Sequence, residues 1–223
     1  MNKIPYRYDI VGSFLRSERL KHARENFNNN LISKNELKKI ENEEILKLVK
    51  KEEAAGLKAV SDGEFRRSYW HLDFLAGLTG VKKIEAEKWS VDFKGVQPKA
   101  ATLKIIDKID FEDHEFLEHF EYLNSIIENG VTAKMTIPAP TMLHLIACVR
   151  TKEYQPIARY QDNEQLIVDL AMAYQKIIQA FYDRGCRYLQ LDDTSWGEFC
   201  SKEKREEYAN CGIEEHWSKN MYI

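Results

Sequence analysis

Short apolar runs that end abruptly on small or acidic residues alternate with stretches of helical period along this chain. Tyr8 to Val11 is the first run and stops at Gly12-Ser13. Leu57 to Ser61 delivers Asp62-Gly63-Glu64-Phe65, and Arg187 to Leu191 leads into Asp192-Asp193. Val131 to Thr136 runs into Ile137-Pro138-Ala139-Pro140, where the prolines forbid continuation. An apolar run closing on a carboxylate has the form of a buried parallel strand with a polar group at its C-terminal end.

Helical stretches separate these runs. One spans about Ser17 to Phe27. Ser33-Lys34-Asn35-Glu36 is a capping box, and the helix it opens carries Leu37, Ile40, Ile45, Leu48 and Val49 on one face before Gly56 ends it. Asp113 to Asn129 carries Phe116, Leu117, Phe120, Leu123, Ile126 and Ile127 on its apolar side and stops at Gly130. Asp162-Asn163-Glu164-Gln165 is a second capping box. Its helix runs to Arg184 with Leu166, Leu170, Tyr174, Ile177, Ile178 and Phe181 inward, and Gly185 closes it. A last helix begins near Ser201.

The order β-α-β-α-β-α-β-α predicts an α/β fold with a parallel sheet and right-handed crossovers. Trp89 to Ile109 breaks the helical period: Trp89, Val91 and Phe93 alternate, Lys94-Gly95 makes a turn, and Leu103-Lys104-Ile105 resumes. This predicts a β-hairpin insertion at about 89–109. No repeat, low-complexity stretch or Pro/Gly-rich linker divides the chain, so 1–223 reads as a single domain. Four strands are half of a TIM-type (β/α)8 barrel, which typically takes about 250 residues. Four strands are too few to close it.

Composition narrows the function. The 223 residues are 43% hydrophobic and 31% charged with a net charge of −3, ordinary for a globular protein. Interspersed charge argues against a nucleic-acid surface or a polybasic membrane patch. No apolar stretch approaches the roughly 20 residues that span a bilayer, and Met1-Asn2-Lys3-Ile4-Pro5-Tyr6-Arg7 shows no secretory signal. Cys148, Cys186, Cys200 and Cys211 form no C-x-x-C pair and read as reduced thiols of a cytoplasmic protein.

The candidate chemistry lies at the strand ends. Glu64 and Asp192 are either ligand-binding carboxylates or caps of the following helices. Asp193 points to the face opposite Asp192 if both lie on a strand, which gives it a structural role. His144 and Cys148 stand at i, i+4, but two ligands do not make a metal site. His71, within Arg66-Arg67-Ser68-Tyr69-Trp70-His71, suits either a substrate contact or an interface.

Four segments in order match a known family: Val11-Gly12-Ser13-Phe14, Ser61-Asp62-Gly63-Glu64-Phe65-Arg66-Arg67, Ile137-Pro138-Ala139-Pro140-Thr141-Met142-Leu143-His144, and Leu189-Gln190-Leu191-Asp192-Asp193. The chain resembles the catalytic barrel of the cobalamin-independent methionine synthases, and most closely their short single-barrel relatives. The resemblance implies a methyltransferase that moves a methyl group from 5-methyltetrahydrofolate polyglutamate to the zinc-bound thiol of homocysteine. It implies that Gly12 and Ser13 hold the substrate carboxylate and that Glu64 and Asp192 bind its amine. Its partners would be homocysteine and a methylated folate, with zinc as cofactor.

The family's zinc is held by a His-x-Cys pair, a Glu and a Cys on strands five to eight. No His-x-Cys occurs here, and Met221-Tyr222-Ile223 falls about where the helix before strand five is under way. The expectation is a truncated TIM-type (β/α)8 barrel, roughly its first four β/α units with the hairpin insertion, whose zinc ligands lie beyond this sequence and which alone shows no turnover. The rival expectation is a non-catalytic half-barrel or pseudo-enzyme that binds at most an amino acid. It would cover its open strand edges as a homodimer.

Overall fold

Ser33 starts the longest helix of the N-terminal part as its sequence dictates. Its hydroxyl accepts the Glu36 N–H at 3.2 Å, and the Glu36 carboxylate accepts the Ser33 N–H at 2.8 Å. The helix, α2, runs Lys34–Ala54. These details come from a computed structural model, which describes residues 6–86, 100–150 and 154–210. The chain divides into two units, and β5, β6 and α6 contribute residues to both.

The first unit takes Met1–Trp70, Glu115–Thr136 and Ala180–Gln190. α1, Glu18–Asn28, is capped by Ser17, whose hydroxyl accepts the Leu20 N–H at 3.2 Å. β1, Ala59–Val60, pairs in parallel with β4, Thr132–Ala133, as the βαβ pattern predicts. α4, Glu115–Ile126, buries Phe116, Leu117, Phe120 and Leu123. Phe120 meets Phe181 edge to face with centroids 6.1 Å apart.

The expected first strand, Tyr8 to Val11, does not form. Side chains occupy the backbone groups that a ladder would use. The Ile10 N–H donates to Asp9 Oδ1 at 2.9 Å, and Lys134 Nζ donates to the Ile10 carbonyl at 2.6 Å. Lys134 is buried and also pairs with Asp9 at 2.8 Å.

Three glutamates of α2, Glu41, Glu44 and Glu52, are buried. Glu44 takes the Ser17 hydroxyl at 2.7 Å, Arg19 at 3.0 Å and Lys47 at 2.6 Å. Lys47, despite the opposing effect of burial, leads these partners in pulling its pKa from 4.5 down to about 2. The stability this adds is present above pH 4.5 and is lost as pH falls toward 2. Because Lys47 and Arg19 are half exposed, the loss is expected to be about 1 kcal/mol. Urea midpoints at pH 7 and pH 3 should differ less in Glu44→Gln than in the parent.

The second unit takes His71–His114, Ile137–Gln179 and Leu191–Ile223. After the short α3, Leu72–Leu75, the antiparallel strands β2, Thr79–Glu85, and β3, Ala101–Asp110, form a ladder with a register shift between Thr79 and Val81. The ladder begins ten residues before the expected insertion. Residues 89–99 of that expectation lie outside the described residues.

β5, Met135–Pro138, pairs with β6, Leu189–Asp192. Pro138 therefore lies inside a strand rather than beyond it, and the break comes at Pro140, the first residue of α5, Pro140–His144. A π-turn over Leu145–Val149 follows, closed by the Arg150 N–H on the Leu145 carbonyl at 2.9 Å. α6, Asn163–Asp183, buries Leu166, Leu170, Tyr174 and Ile177, but Ile178 is 47% exposed rather than inward. α8, Lys202–Asn210, is the last helix expected near Ser201, and the short α7, Ser195–Cys200, precedes it. Among the described residues no helix is long and apolar enough to cross a membrane.

Candidate functional site

In the first unit the chain after Gly12-Ser13 is fastened to the turn after β1. The Phe14 N–H donates to the Gly63 carbonyl at 3.2 Å. Arg16 Nη2 donates to the carbonyls of Glu64 and Arg67 at 2.6 and 2.9 Å, and Arg24 adds a bond to the Arg67 carbonyl at 2.9 Å. Gly12 takes φ +84° and is half-buried, and Ser13 is exposed.

Ser61 and Asp62 shape the turn itself. Ser61 Oγ accepts the Gly63 N–H at 3.2 Å, and Asp62 Oδ1 accepts the Glu64 N–H at 2.9 Å. Gly63 and Glu64 both take positive φ, +62° and +57°. For a glutamate this region costs about 1–2 kcal/mol, and the hydrogen bonds on either side hold it there. Strain held in this way at a polar residue is a pointer to function.

The side chain of Glu64 is buried. Its Oε1 lies 3.5 Å from Arg67 Nη1 and accepts from Thr136 Oγ1 at 3.5 Å. Arg67 is itself buried and donates to the Thr136 carbonyl at 2.6 Å, to Thr136 Oγ1 at 3.1 Å and to the Trp70 carbonyl at 3.4 Å. Its guanidinium sits 4.7 Å from the Phe116 ring centroid. The turn thus presents a fixed carboxylate next to an exposed hydroxyl-bearing segment, a pairing that suits a ligand with an amine at one end and an anion at the other.

Gly12, Ser13 and Glu64 are brought together in this unit. Asp192 belongs to the second unit, half-buried at the end of β6, where its carbonyl accepts the Ala139 N–H at 2.7 Å. Asp193 has the structural role expected of it: it accepts the Thr141 hydroxyl at 2.8 Å and the Ser195 N–H at 2.8 Å. Sequence reasoning missed Arg16, Arg67, Thr136 and Glu52. Glu52 carried a signal, since it stands four residues after Leu48 on the apolar stripe of α2.

The described residues do not fit a zinc ion. Among the described residues no group of three or more His, Cys, Asp or Glu could hold a metal. Burial lowers the His144 pKa to about 3 and raises the Cys148 thiol to about 12, so a thiolate ligand is disfavoured there. Burial, followed by the Arg150 charge, lowers His71 to about 4, which keeps it neutral at pH 7.

Residues 8–217 match the family model for the cobalamin-independent synthase catalytic domain. The chain is 46% identical over 200 residues to the uncharacterized protein YxjG of Bacillus subtilis, covering 90% of this chain and 51% of that protein. A vitamin-B12-independent methionine synthase-type structure from Listeria monocytogenes is 45% identical with a TM-score of 0.74, over 94% of this chain and 61% of that one. A B12-independent methionine synthase from Shewanella, solved with selenomethionine, is 18% identical with a TM-score of 0.55 and supports the fold alone. It covers 78% of this chain and 50% of that one. The chain spans about half the length of the relatives it matches.

Proposed function

Because the chain belongs to the cobalamin-independent methionine synthase catalytic-domain family, we propose that it carries the amino-acid subsite of a homocysteine S-methyltransferase, in one domain that forms the first part of a TIM-type barrel. In this reading Glu64 receives the substrate ammonium and the Gly12-Ser13 turn receives its carboxylate. The homocysteine sulfur bonds to the methyl carbon of 5-methyltetrahydrofolate as the bond from that carbon to N5 breaks. The electron pair stays on N5, which takes a proton. The residues described here bind and orient the amino acid, which raises the rate by holding the sulfur in line.

One observation carries the reading: a buried glutamate held at positive φ and fastened to the Gly12-Ser13 segment through Phe14 and Arg16. Calorimetric titration with L-methionine, the product, tests it without a metal or a donor. Glu64→Gln should bind at least about tenfold more weakly, the effect of removing one charge-assisted contact. N-acetyl-L-methionine, which lacks the ammonium, should bind weakly and be indifferent to the substitution. Equal affinity in parent and variant would sink the reading.

The alternative is a non-catalytic half-barrel that self-associates. It is favoured by Val168, Met172 and Ile178 on α6, which are 54%, 52% and 47% exposed. A stable dimer by light scattering with no methionine binding would establish it.

A further inference from the structure

Glu52 is a buried titratable group that the reading above leaves unused. It is 3% exposed near the C-terminal end of α2. Its Oε1 accepts the Ser61 N–H at 3.3 Å, and its Oε2 has no hydrogen-bond partner among the described residues. The charged groups acting on it are both carboxylates, Asp62 from the turn and Glu53 beside it on α2. Burial is the main force that raises its pKa to about 7, the Ser61 N–H opposes it, and Asp62 adds to it. Asp62 is the residue whose side chain holds the Glu64 N–H at 2.9 Å.

We propose that Glu52 is a positioning residue for the Ser61–Glu64 turn: loss of its proton sets a second negative charge beside Asp62 and loosens the Asp62–Glu64 hydrogen bond that aims the Glu64 carboxylate. A buried carboxyl with one oxygen unpartnered keeps its proton at little cost. Once ionised, its leading charged neighbours among the described residues are two carboxylates, and displacement of Asp62 is the relief at hand. The site would therefore be best ordered with Glu52 neutral and less ordered above neutrality. The ligand arm of the test rests on the proposed amine site; the backbone arm does not.

The experiment follows the ¹⁵N-amide shifts of Ser61, Gly63 and Glu64 from pH 5.5 to 8.5 in the full chain. The parent should show one titration shared by all three amides with a midpoint of about 7. Glu52→Gln should abolish it. Asp62→Asn keeps the turn acceptor but removes the like charge, and should lower the midpoint by about half a unit or more. If Glu52→Gln does not fold, the Asp62→Asn shift decides. Flat amides in the parent, a titration that survives Glu52→Gln, or an unmoved midpoint in Asp62→Asn overturns the proposal.

In parallel, L-methionine affinity should fall between pH 6 and 8 by about threefold more in the parent than in Glu52→Gln. An identical pH dependence in both overturns the positioning role. Absence of methionine binding at every pH, with the amides titrating as expected, would sink the amino-acid reading and leave Glu52 as the control of the turn.

Discussion

Arg67→Ala is expected to lower the free energy of unfolding by about 3–5 kcal/mol, the range for removing one partner of a buried ion pair. Arg67 is 3% exposed, and its guanidinium bonds to the Thr136 carbonyl, the Thr136 hydroxyl and the Trp70 carbonyl. Truncation leaves the Glu64 carboxylate buried without its cation and the Thr136 carbonyl without its donor. It also removes the stacking partner of Phe116.

Lysine restores the charge without the planar fork, so Arg67→Lys should recover only about half of the loss. Urea unfolding of the two variants measures this. The double variant Arg67→Ala with Glu64→Gln should cost less than the sum of the singles, because neutral glutamine needs no cation. A loss below about 1 kcal/mol in Arg67→Ala would mean that solvent reaches this pair.

Much of this arrangement was legible in the amino-acid order, and the rest was not for identifiable reasons. The helix bounds followed from local chemistry: Ser33 and Asp162 cap where their side chains predict. The parallel β1–β4 pair followed from apolar runs separated by a helical crossover. Tyr8 to Val11 failed because the side chains of the adjacent Asp9 and of Lys134, 124 residues from Ile10, took the backbone groups of the expected strand. Periodicity carries no information about such distant partners.

The burial of three glutamates on α2 escaped the sequence for a related reason. Charge on a helix normally marks its wet face, but Glu41 is matched by Arg24 and Arg66 from other segments. At the site, the motif located Glu64, but the positive φ that aims it depends on Ser61, Asp62 and Arg16 acting together. Nothing in the spacing of those residues announces a left-handed glutamate.

That left-handed turn makes Gly63 the second sensitive position, and Gly63→Ala is expected to destabilise the chain by about 2–4 kcal/mol. Two effects add. At φ +62° an L side chain is strained by about 1–2 kcal/mol. The new Cβ would also stand 2.4 Å from Leu48 Cδ2, 3.2 Å from Phe65 Cε1 and 3.3 Å from Phe14 Cβ, so a neighbour has to move. Leu48 is buried on α2, on the stripe that ends at Glu52, and its displacement would propagate to the floor of the turn.

The two effects separate experimentally. Leu48→Ala removes the clashing methyl, so Gly63→Ala should cost less in that background than in the parent, and what remains is the backbone strain. Additive losses would mean that Leu48 rotates aside freely and that strain alone sets the cost. In either background the Gly63 carbonyl still accepts the Phe14 N–H only if the turn keeps its left-handed form. Methionine affinity should therefore fall with the strain component and not recover when Leu48 is truncated, since the strain bears on the carboxylate proposed to meet the ligand and the clash bears on the helix beneath it.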